Sequence, residues 1–256
     1  FDSNEDYVAK YPNTNENTIK LPANILPDET WINDLQKAGK NSTEGSIELI
    51  ENDALKILNH PWDIFKHNDW ALRKDFKLIT QGRMSQQIPT SNKTINDADI
   101  FIEAGAKVEH CILNAADGPI YIGKNAVIME GSFLRGPVAI CEGAVVKMGT
   151  RIYGATTVGP FCTVGGEIKN SVLFGYSNKA HDGYLGDSVL GEWCNLGAGT
   201  SNSNVKNTAG QVKYWSDAAL KEIGAGNKGG LLMGDYSKAA INTSFNTGTI
   251  VGVCCN

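Results

Sequence analysis

Aliphatic residues recur at every sixth position along the middle of the chain. The series runs through Ile122, Ile128, Leu134, Ile140, Val146, Ile152, Val158 and Val164. Four positions after each lies a small or β-branched residue: Ala126, Ser132, Val138, Ala144, Thr150, Thr156, Cys162 and Ile168. Helices repeat every 3.6 residues and strands every two. A period of six predicts a short strand plus a tight turn, three of which close one triangular coil around a column of aliphatic side chains.

The same period extends in both directions. It includes Ile102 and Val108 upstream, and downstream it resumes at Tyr184, Leu190 and Leu196, and again from Met233 to Val251. We therefore expect an all-β solenoid, a parallel β-helix of hexapeptide repeats, over residues 91–256. Because the chain stops inside a hexad, the solenoid is expected to be truncated at its C-terminal end. Residues 1–90 are expected to hold the tail of an upstream domain and an amphipathic linking helix at residues 61–79.

The period is interrupted at two informative places. The interval from Val164 to Tyr184 is two residues too long, which predicts a bulge within residues 171–183. A long loop with a strand-like stretch at residues 211–215 separates Leu196 from Met233. Irregular segments of a repeat protein are where functional side chains are expected.

Composition narrows the function classes. The net charge is −5 and no basic stripe with interleaved aromatics occurs, which argues against a nucleic-acid partner. No apolar run reaches the length of a membrane span, so no membrane partner is expected. The six cysteines show no CxxC spacing. They are interpreted as reduced, buried residues of a cytoplasmic protein.

His181 is the candidate catalytic residue, since it falls inside the first interruption. Histidine is well suited to remove a proton from an amine or a hydroxyl. An ordinary surface histidine is the alternative.

Arg151 and Lys169 are candidate phosphate ligands. They are separated by three hexads, which make one full regular coil, and the spacing predicts that they stack one above the other. Two cations so close favour a shared anion such as a phosphate. The alternative is a pair of solvated surface cations, with Glu167 neutralising Lys169.

The motifs around His181 resemble a known family. The run His181-Asp-Gly-Tyr184-Leu-Gly-Asp187, then Asn195-Leu-Gly-Ala-Gly-Thr200 and Asn204, is similar to the acetyltransferase half of the bifunctional N-acetylglucosamine-1-phosphate uridyltransferase/glucosamine-1-phosphate acetyltransferase. Glu167-Ile-Lys169 matches that family's Glu-Met-Lys. Over nearly its whole length the chain also resembles a bacterial group of sugar nucleotidyltransferases related to that family.

This resemblance implies a left-handed β-helix and a homotrimer, with acetyl-CoA lying between neighbouring solenoids. It implies that His181 is the general base on a sugar amine and that Lys169 and Arg151 bind the phosphate. Tyr184, Asn195 and Asn204 are implied to hold the sugar. The expected function is an acyl-CoA-dependent N-acyltransferase, acting on an amino sugar phosphate or a nucleotide sugar.

Two departures keep other functions open. Val205 stands where the family has a sugar-contacting aromatic residue, and the Gly197-Ala-Gly-Thr200 run lacks the Arg of a nucleotidyltransferase phosphate loop. The chain could instead be the trimerising or regulatory solenoid of a sugar-1-phosphate nucleotidyltransferase, whose Mg²⁺-dependent domain would lie before Phe1. A non-enzymatic scaffold is the third reading. No metal site is expected, because a zinc-dependent hydratase would need three converging histidines.

Overall fold

The computed structural model describes residues 23–39 and 51–256, and it divides into two compact units, Phe1–Asn59 and His60–Asn256. In the first unit, strand β1 (Ile25–Pro27) pairs antiparallel with β2 (Leu55–Ile57). Helix α1 (Glu29–Gly39) begins after Asp28, whose carboxylate accepts a hydrogen bond from the backbone N–H of Trp31 at 2.9 Å. A carboxylate at this position satisfies an amide that the helix leaves free.

The second unit begins with helix α2 (Asp63–Thr80), and a single 3₁₀ turn lies at Asp97–Asp99. Its strands are β3 (Lys93–Ile95), β4 (Ile100–Ile102), β5 (Lys107–Val108), β6 (Ile112–Asn114), β7 (Ile120–Ile122), β8 (Val127–Ile128), β9 (Phe133–Arg135), β10 (Val138–Ile140), β11 (Val145–Val146), β12 (Arg151–Tyr153), β13 (Thr156–Val158), β14 (Thr163–Val164), β15 (Glu167–Lys169), β16 (Val172–Leu173), β17 (Asn178–Lys179), β18 (Tyr184–Gly186), β19 (Val189–Leu190), β20 (Asn195–Leu196), β21 (Ser201–Asn202), β22 (Val212–Ser216), β23 (Lys221–Gly226), β24 (Leu231–Met233), β25 (Lys238–Ala239), β26 (Ser244–Phe245) and β27 (Thr249–Val251).

Most of these strands form three parallel sheets that the chain visits in turn. Sheet 1 has eight strands from β4 to β27, sheet 2 has seven from β5 to β25, and sheet 3 has six from β3 to β18. Ile122, Ile140 and Val158 are neighbours in sheet 1 and are fully buried, as the hexad period predicts. The predicted β-solenoid is confirmed, and its three sheets of short strands are consistent with the left-handed form.

The period fails after Val164, and one predicted column residue is wrong. Leu185, not Tyr184, continues the interior column of sheet 3, in register with Ile168. The cause is a change in coil length. The sequence interval from Val158 to its sheet neighbour Leu173 is shorter than the interval from Ile140 to Val158. A fixed period of six residues therefore no longer identifies the interior positions in these coils.

The corner between sheets 1 and 2 carries a ladder of aromatic side chains. Phe161, Tyr176, Trp193 and Tyr236 stack with centroid distances of 5.4, 4.5 and 6.2 Å. All four have positive φ, near 60°, a conformation that costs a residue with a Cβ about 1 kcal/mol or more. Ring stacking offsets part of this cost.

Helix α2 and a hairpin from the long loop cover the outer face of sheet 1. Strands β22 and β23 form an antiparallel hairpin within the long loop, and Tyr214 stacks on Trp62 at 4.9 Å. These residues bury Val189 and Leu232 of sheet 1. Helix α2 lies on the same face, where the Asn68 amide donates to the Ala155 carbonyl. The hairpin confirms the strand-like stretch predicted at residues 211–215.

The cysteines only partly follow their prediction. All six are free thiols. Cys111, Cys162 and Cys194 are buried, but Cys254 and Cys255 are exposed. The last two lie in the final turn of the chain, where no further coil covers them in this structure.

Candidate functional site

The outer face of sheet 3 brings together four of the six predicted site residues. Its outward side chains form two rows, on either side of the buried row that contains Ile152 and Ile168. The first row contains Phe133, Arg151, Glu167 and Tyr184, and the second contains Arg135, Tyr153, Lys169 and Gly186. Asn204 joins this face through its hydrogen bond to Tyr184.

Arg151 and Lys169 lie on one face of adjacent coils, as their spacing predicts, but the predicted stacking of one above the other is wrong. The register pairs Arg151 with Glu167 and pairs Lys169 with Tyr153. The corner at residues 165–166 has only two residues, whereas the corner below it, residues 147–150, has four. This shorter corner moves Lys169 into the second row, while Arg151 stays in the first.

Glu167 is the centre of the local electrostatics. Its carboxylate accepts a hydrogen bond from the Tyr153 hydroxyl at 2.6 Å and lies 3.9 Å from Nε of Arg151. The hydrogen bond to Glu167, helped by burial, raises the pKa of Tyr153 to about 12. The Lys169 ammonium instead lies 5.5 Å from the centroid of the Tyr153 ring. Within the described residues Lys169 forms no ion pair, so its charge is open to an anion.

A polar network lies where sheet 3 turns into sheet 1. The buried carboxylate of Asp187 accepts hydrogen bonds from the side-chain amides of Asn170 at 2.6 Å and Asn204 at 2.5 Å. The Asn204 amide is also 3.0 Å from the hydroxyl of Tyr184. Burial, together with the nearby Asp187 carboxylate, raises the pKa of Tyr184. Burial and the Asp187 carboxylate therefore favour the neutral phenol of Tyr184, against the opposing effect of the Asn204 hydrogen bond.

Gly186 leaves room for the Tyr184 ring, which lies over it. A Cβ atom at Gly186 would come within 2.2 Å of the Tyr184 hydroxyl, so only glycine fits beneath the ring. Asp187 and Asn170 were not predicted as site residues. The signal was available, since Asn170, Asp187 and Asn204 are evenly spaced along the sequence, at the interval of the coils that stack them.

His181 lies on the corner between sheets 2 and 3, at residues 180–183 between β17 and β18. Its side chain is exposed and is not part of the interior column. The backbone around it is held firmly, because the N–H of Gly199 donates to the Asp182 carbonyl at 3.0 Å and that of Glu167 to the Gly183 carbonyl at 3.2 Å. The imidazole itself has no hydrogen bond to any described residue.

Asn195 lies apart from the sheet 3 residues. It is half-buried in sheet 2, in register with Asn178 on one side and Lys238 on the other. The structure thus gathers Arg151, Lys169, Tyr184 and Asn204 on one face and leaves Asn195 on the next. His181 occupies the corner between the two faces.

A cleft of about 390 Å³ opens between α2 and the second row of sheet 3. Tyr153 and two arginines line it. Each arginine is already paired with a carboxylate, Arg73 with Asp69 at 2.9 Å and Arg135 with Asp117 at 2.5 Å. The cleft therefore offers less free positive charge than Lys169 does.

Among residues 23–39 and 51–256, no cluster of three or more His, Cys, Asp or Glu side chains is placed to hold a metal ion. No helix in that part of the chain has the length and hydropathy needed to cross a membrane.

Comparison with known proteins supports the motif-based prediction. A sugar nucleotidyl transferase family model matches residues 30–84. The bifunctional protein GlmU of Methanocaldococcus jannaschii is 27% identical over 86% of this chain and 50% of its own length. GlmU of Methanococcus maripaludis is 28% identical over 90% of this chain and 50% of its own length. The predicted resemblance is confirmed.

A third relative has a more explicit name. The bifunctional sugar-1-phosphate nucleotidylyltransferase/acetyltransferase of Sulfurisphaera tokodaii is 29% identical over 80% of this chain and 45% of its own length. The chain spans about half the length of the curated relatives it matches. These relatives are named as transferases or as bifunctional proteins.

Proposed function

We propose that the protein transfers an acyl group from acetyl-CoA to the amine of an amino sugar phosphate or a nucleotide sugar, with His181 as the general base. The observation that carries this proposal is the placement of His181. An exposed imidazole stands on a fixed corner, beside a face that presents an open ammonium group and hydrogen-bonding side chains. An acetyltransferase in the name of a relative supports the same chemistry.

The chemical step needs one base and no metal-bound nucleophile. The substrate amine attacks the thioester carbonyl of acetyl-CoA, a C–N bond forms, and the C–S bond breaks. The imidazole of His181 takes the proton that the amine loses and returns it to the departing CoA thiolate. Histidine performs this exchange well near neutral pH.

The substrate-binding roles follow from the two faces. Lys169 supplies the positive charge for the phosphate, and Tyr184 and Asn204 supply hydrogen bonds to the sugar from the Asp187 network. Asn195 supplies a further hydrogen bond to the sugar, from sheet 2. Arg151 holds the Glu167 carboxylate rather than the phosphate, because the register places it beside that residue.

A homotrimer fits this arrangement. Helix α2 and the hairpin cover the outer face of sheet 1, and the predicted site residues lie on sheets 2 and 3. Neighbouring copies would pack beside these two sheets, and acetyl-CoA would lie in the groove between solenoids.

A second candidate function is favoured by the match at residues 30–84. A sugar nucleotidyl transferase model covers this segment, so the solenoid could serve as the trimerising or regulatory part of a Mg²⁺-dependent sugar-1-phosphate nucleotidyltransferase. The two functions are compatible in one protein, as the name of the S. tokodaii relative shows for that protein.

The test is release of the CoA thiol from acetyl-CoA in the presence of glucosamine 1-phosphate and of nucleotide-linked amino sugars. We expect thiol release with at least one of these acceptors. The proposal fails if no acceptor supports thiol release. Pyrophosphate release from a nucleoside triphosphate, a sugar 1-phosphate and Mg²⁺ would then favour the second function.

A further inference from the structure

Lys179 occupies a place where the solenoid otherwise uses aliphatic residues. It is in register with Val164 in sheet 2, and its side chain is only 2% exposed. The interior positions of this sheet in the other coils are Val108, Ile128, Val146, Val164, Leu196 and Ala239. Burial of an ammonium group is unfavourable unless it is well bonded. The desolvation lowers the pKa of Lys179 to about 8, although the nearby Asp182 carboxylate opposes the shift.

The ammonium group is bonded to two corners of the solenoid. Its Nζ lies 3.1 Å from the carbonyl oxygen of Gly165 and 2.5 Å from that of His181. Gly165 belongs to the two-residue corner directly below the corner that carries His181. In the part of the chain that the structure describes, no carboxylate forms an ion pair with Lys179. The ammonium group thus donates its hydrogen bonds to these two backbone carbonyls.

The two corners are packed so closely that a Cβ atom at position 165 or 166 would clash with the corner above. A Cβ atom at Gly165 would lie 2.5 Å from the Ala180 carbonyl oxygen, and one at Gly166 would lie 3.0 Å from that of His181. The corner at residues 180–183 is therefore held on one side by contact with Gly165 and Gly166. On the other side it is held by the hydrogen bond from the Gly199 N–H to the Asp182 carbonyl. Lys179 adds the one bond that holds the carbonyl of His181 itself.

We propose that Lys179 is a positioning residue: its buried ammonium group binds the carbonyl oxygens of Gly165 and His181 and so fixes the corner from which the His181 imidazole meets the substrate. An aliphatic residue would fill the column equally well but would leave both carbonyls without this donor. The effect on the reaction rate rests on the proposed function. The effect on the rigidity of the corner does not.

The test compares Lys179→Met with the matched control Leu196→Met. Methionine is apolar and nearly as long as lysine, and replacing a buried charge by an apolar side chain is often neutral or stabilising. We expect Lys179→Met to melt at the same temperature as the wild type or higher, yet to show faster exchange of the backbone amides of Glu167 and Gly199, which donate to the Gly183 and Asp182 carbonyls of this corner. Because small misplacements of reacting groups are costly, its kcat should fall about ten- to a hundred-fold with little change in KM. Leu196→Met should alter none of these quantities.

Two results would overturn the proposal. One is unchanged exchange of the Glu167 and Gly199 amides in Lys179→Met. The other is a lower melting temperature with faster exchange along the whole solenoid, which would make Lys179 a core residue only. If Lys179→Met does not fold, Lys179→Leu, which copies the column residue of the next coil, is measured in the same way, and unchanged exchange there is equally decisive. Absence of acyl transfer in the wild type would refute the proposed function while leaving the exchange test intact.

Discussion

The coils before and after Val164 share one architecture but differ in regularity and in the residues they bring together. Before it, coils of three hexads repeat in strict register around Ile122, Ile140 and Val158. After it, the coils become shorter and unequal in length, and a lysine enters the interior column. The regular coils form a uniform surface, here called the wall, because each outward side chain lies beside one at the same hexad position in the neighbouring coil. The shortened coils bring residues from different hexad positions together, and a site results.

The corner between sheets 2 and 3 shows the effect most clearly. Two residues at 165–166 lie beneath four residues at 180–183, so the upper corner extends beyond the lower one and exposes His181. In the first coil the same corner also carries a histidine, His110, which has a φ of 56° and an exposed side chain. The two histidines share a corner but differ in what surrounds them, which makes them a matched pair.

The corner between sheets 1 and 2 differs between the regions as well. It is occupied by Gly105, Asn125 and Gly143 in the first coils, all with positive φ. The later coils place the aromatic ladder there instead, from Phe161 to Tyr236. The ladder lies on the side of the irregular coils that faces away from the corner carrying His181.

The largest expected effect distinguishes the two histidines. His181→Asn should lower the rate of acyl transfer about 10²- to 10⁴-fold, the usual loss when a general base is removed. His110→Asn should leave the rate unchanged, since His110 lies in a regular coil and asparagine tolerates its positive φ. The measurement is kcat of both variants with the acceptor that the wild type uses. Equal rates in the two variants would remove His181 from the chemistry.

The next prediction concerns the regular wall. Ile140→Ala should lower the free energy of unfolding by about 2–5 kcal/mol, because it leaves a cavity in the fully buried column. Under native conditions its kcat should remain near that of the wild type, since Ile140 belongs to sheet 1 and the candidate site residues lie on sheets 2 and 3 and at the corner between them. Urea denaturation measures the first quantity and the acylation assay the second. A loss of rate without a loss of stability would contradict the division between wall and site.

Two glycines of the corner between sheets 2 and 3 provide a smaller contrast. Gly149 and Gly166 both have positive φ, 71° and 75°, so alanine at either position costs about 1–2 kcal/mol in backbone strain. A Cβ atom at Gly149 meets nothing within 4 Å, but one at Gly166 would lie 2.8 Å from the Gly183 carbonyl oxygen. Overpacking should add about 1–3 kcal/mol at Gly166 alone. Gly166→Ala should also lower kcat, because it pushes the His181 corner outward.

Denaturation and kinetics of Gly149→Ala and Gly166→Ala form the experiment. Equal destabilisation by the two substitutions would show that the corners are not in close contact. A kcat for Gly166→Ala equal to that of the wild type would show that the corner does not need to be fixed.

The last prediction is a pH dependence that arises from Lys179. Its pKa is about 8 in the folded protein, below the ordinary lysine value of 10.5, so the unfolded chain binds the proton more tightly. The cost of the buried charge is fully present below pH 8 and is relieved as the pH rises towards 10.5. The unfolding free energy of the wild type relative to Lys179→Met should therefore increase over this interval. A difference that is flat between pH 8 and 10.5 would contradict the burial of the charge.

The sequence predicts the wall better than the site for a physical reason. Aliphatic residues at a fixed period identify the column from Ile122 to Val164, because each must face inward. The register beyond Val164 depends on how many residues each corner contains. The identities of Gly165 and Gly166 do not indicate that their corner has only two residues. The stacking predicted for Arg151 and Lys169 fails for this reason, and the lysine that enters the column is not foreseen.

The polar network was missed because its members resemble ordinary turn residues. Asn170 and Asp187 both have positive φ, which asparagine and aspartate tolerate in turns. Only their even spacing with Asn204 along the sequence distinguishes them. The motif residues His181, Tyr184 and Asn204 could be named through resemblance, but their contacts could not.

The most direct test of the account is to observe which histidine meets the substrate. The chain has four histidines, and the imidazole signals of protein labelled with ¹⁵N-histidine can be assigned with single His→Asn variants. On addition of the amino sugar phosphate that serves as acceptor, we expect the His181 signal to shift while those of His60, His67 and His110 stay in place. A saturating shift at another histidine, or saturating binding that leaves His181 unaffected, would contradict the assignment of the site.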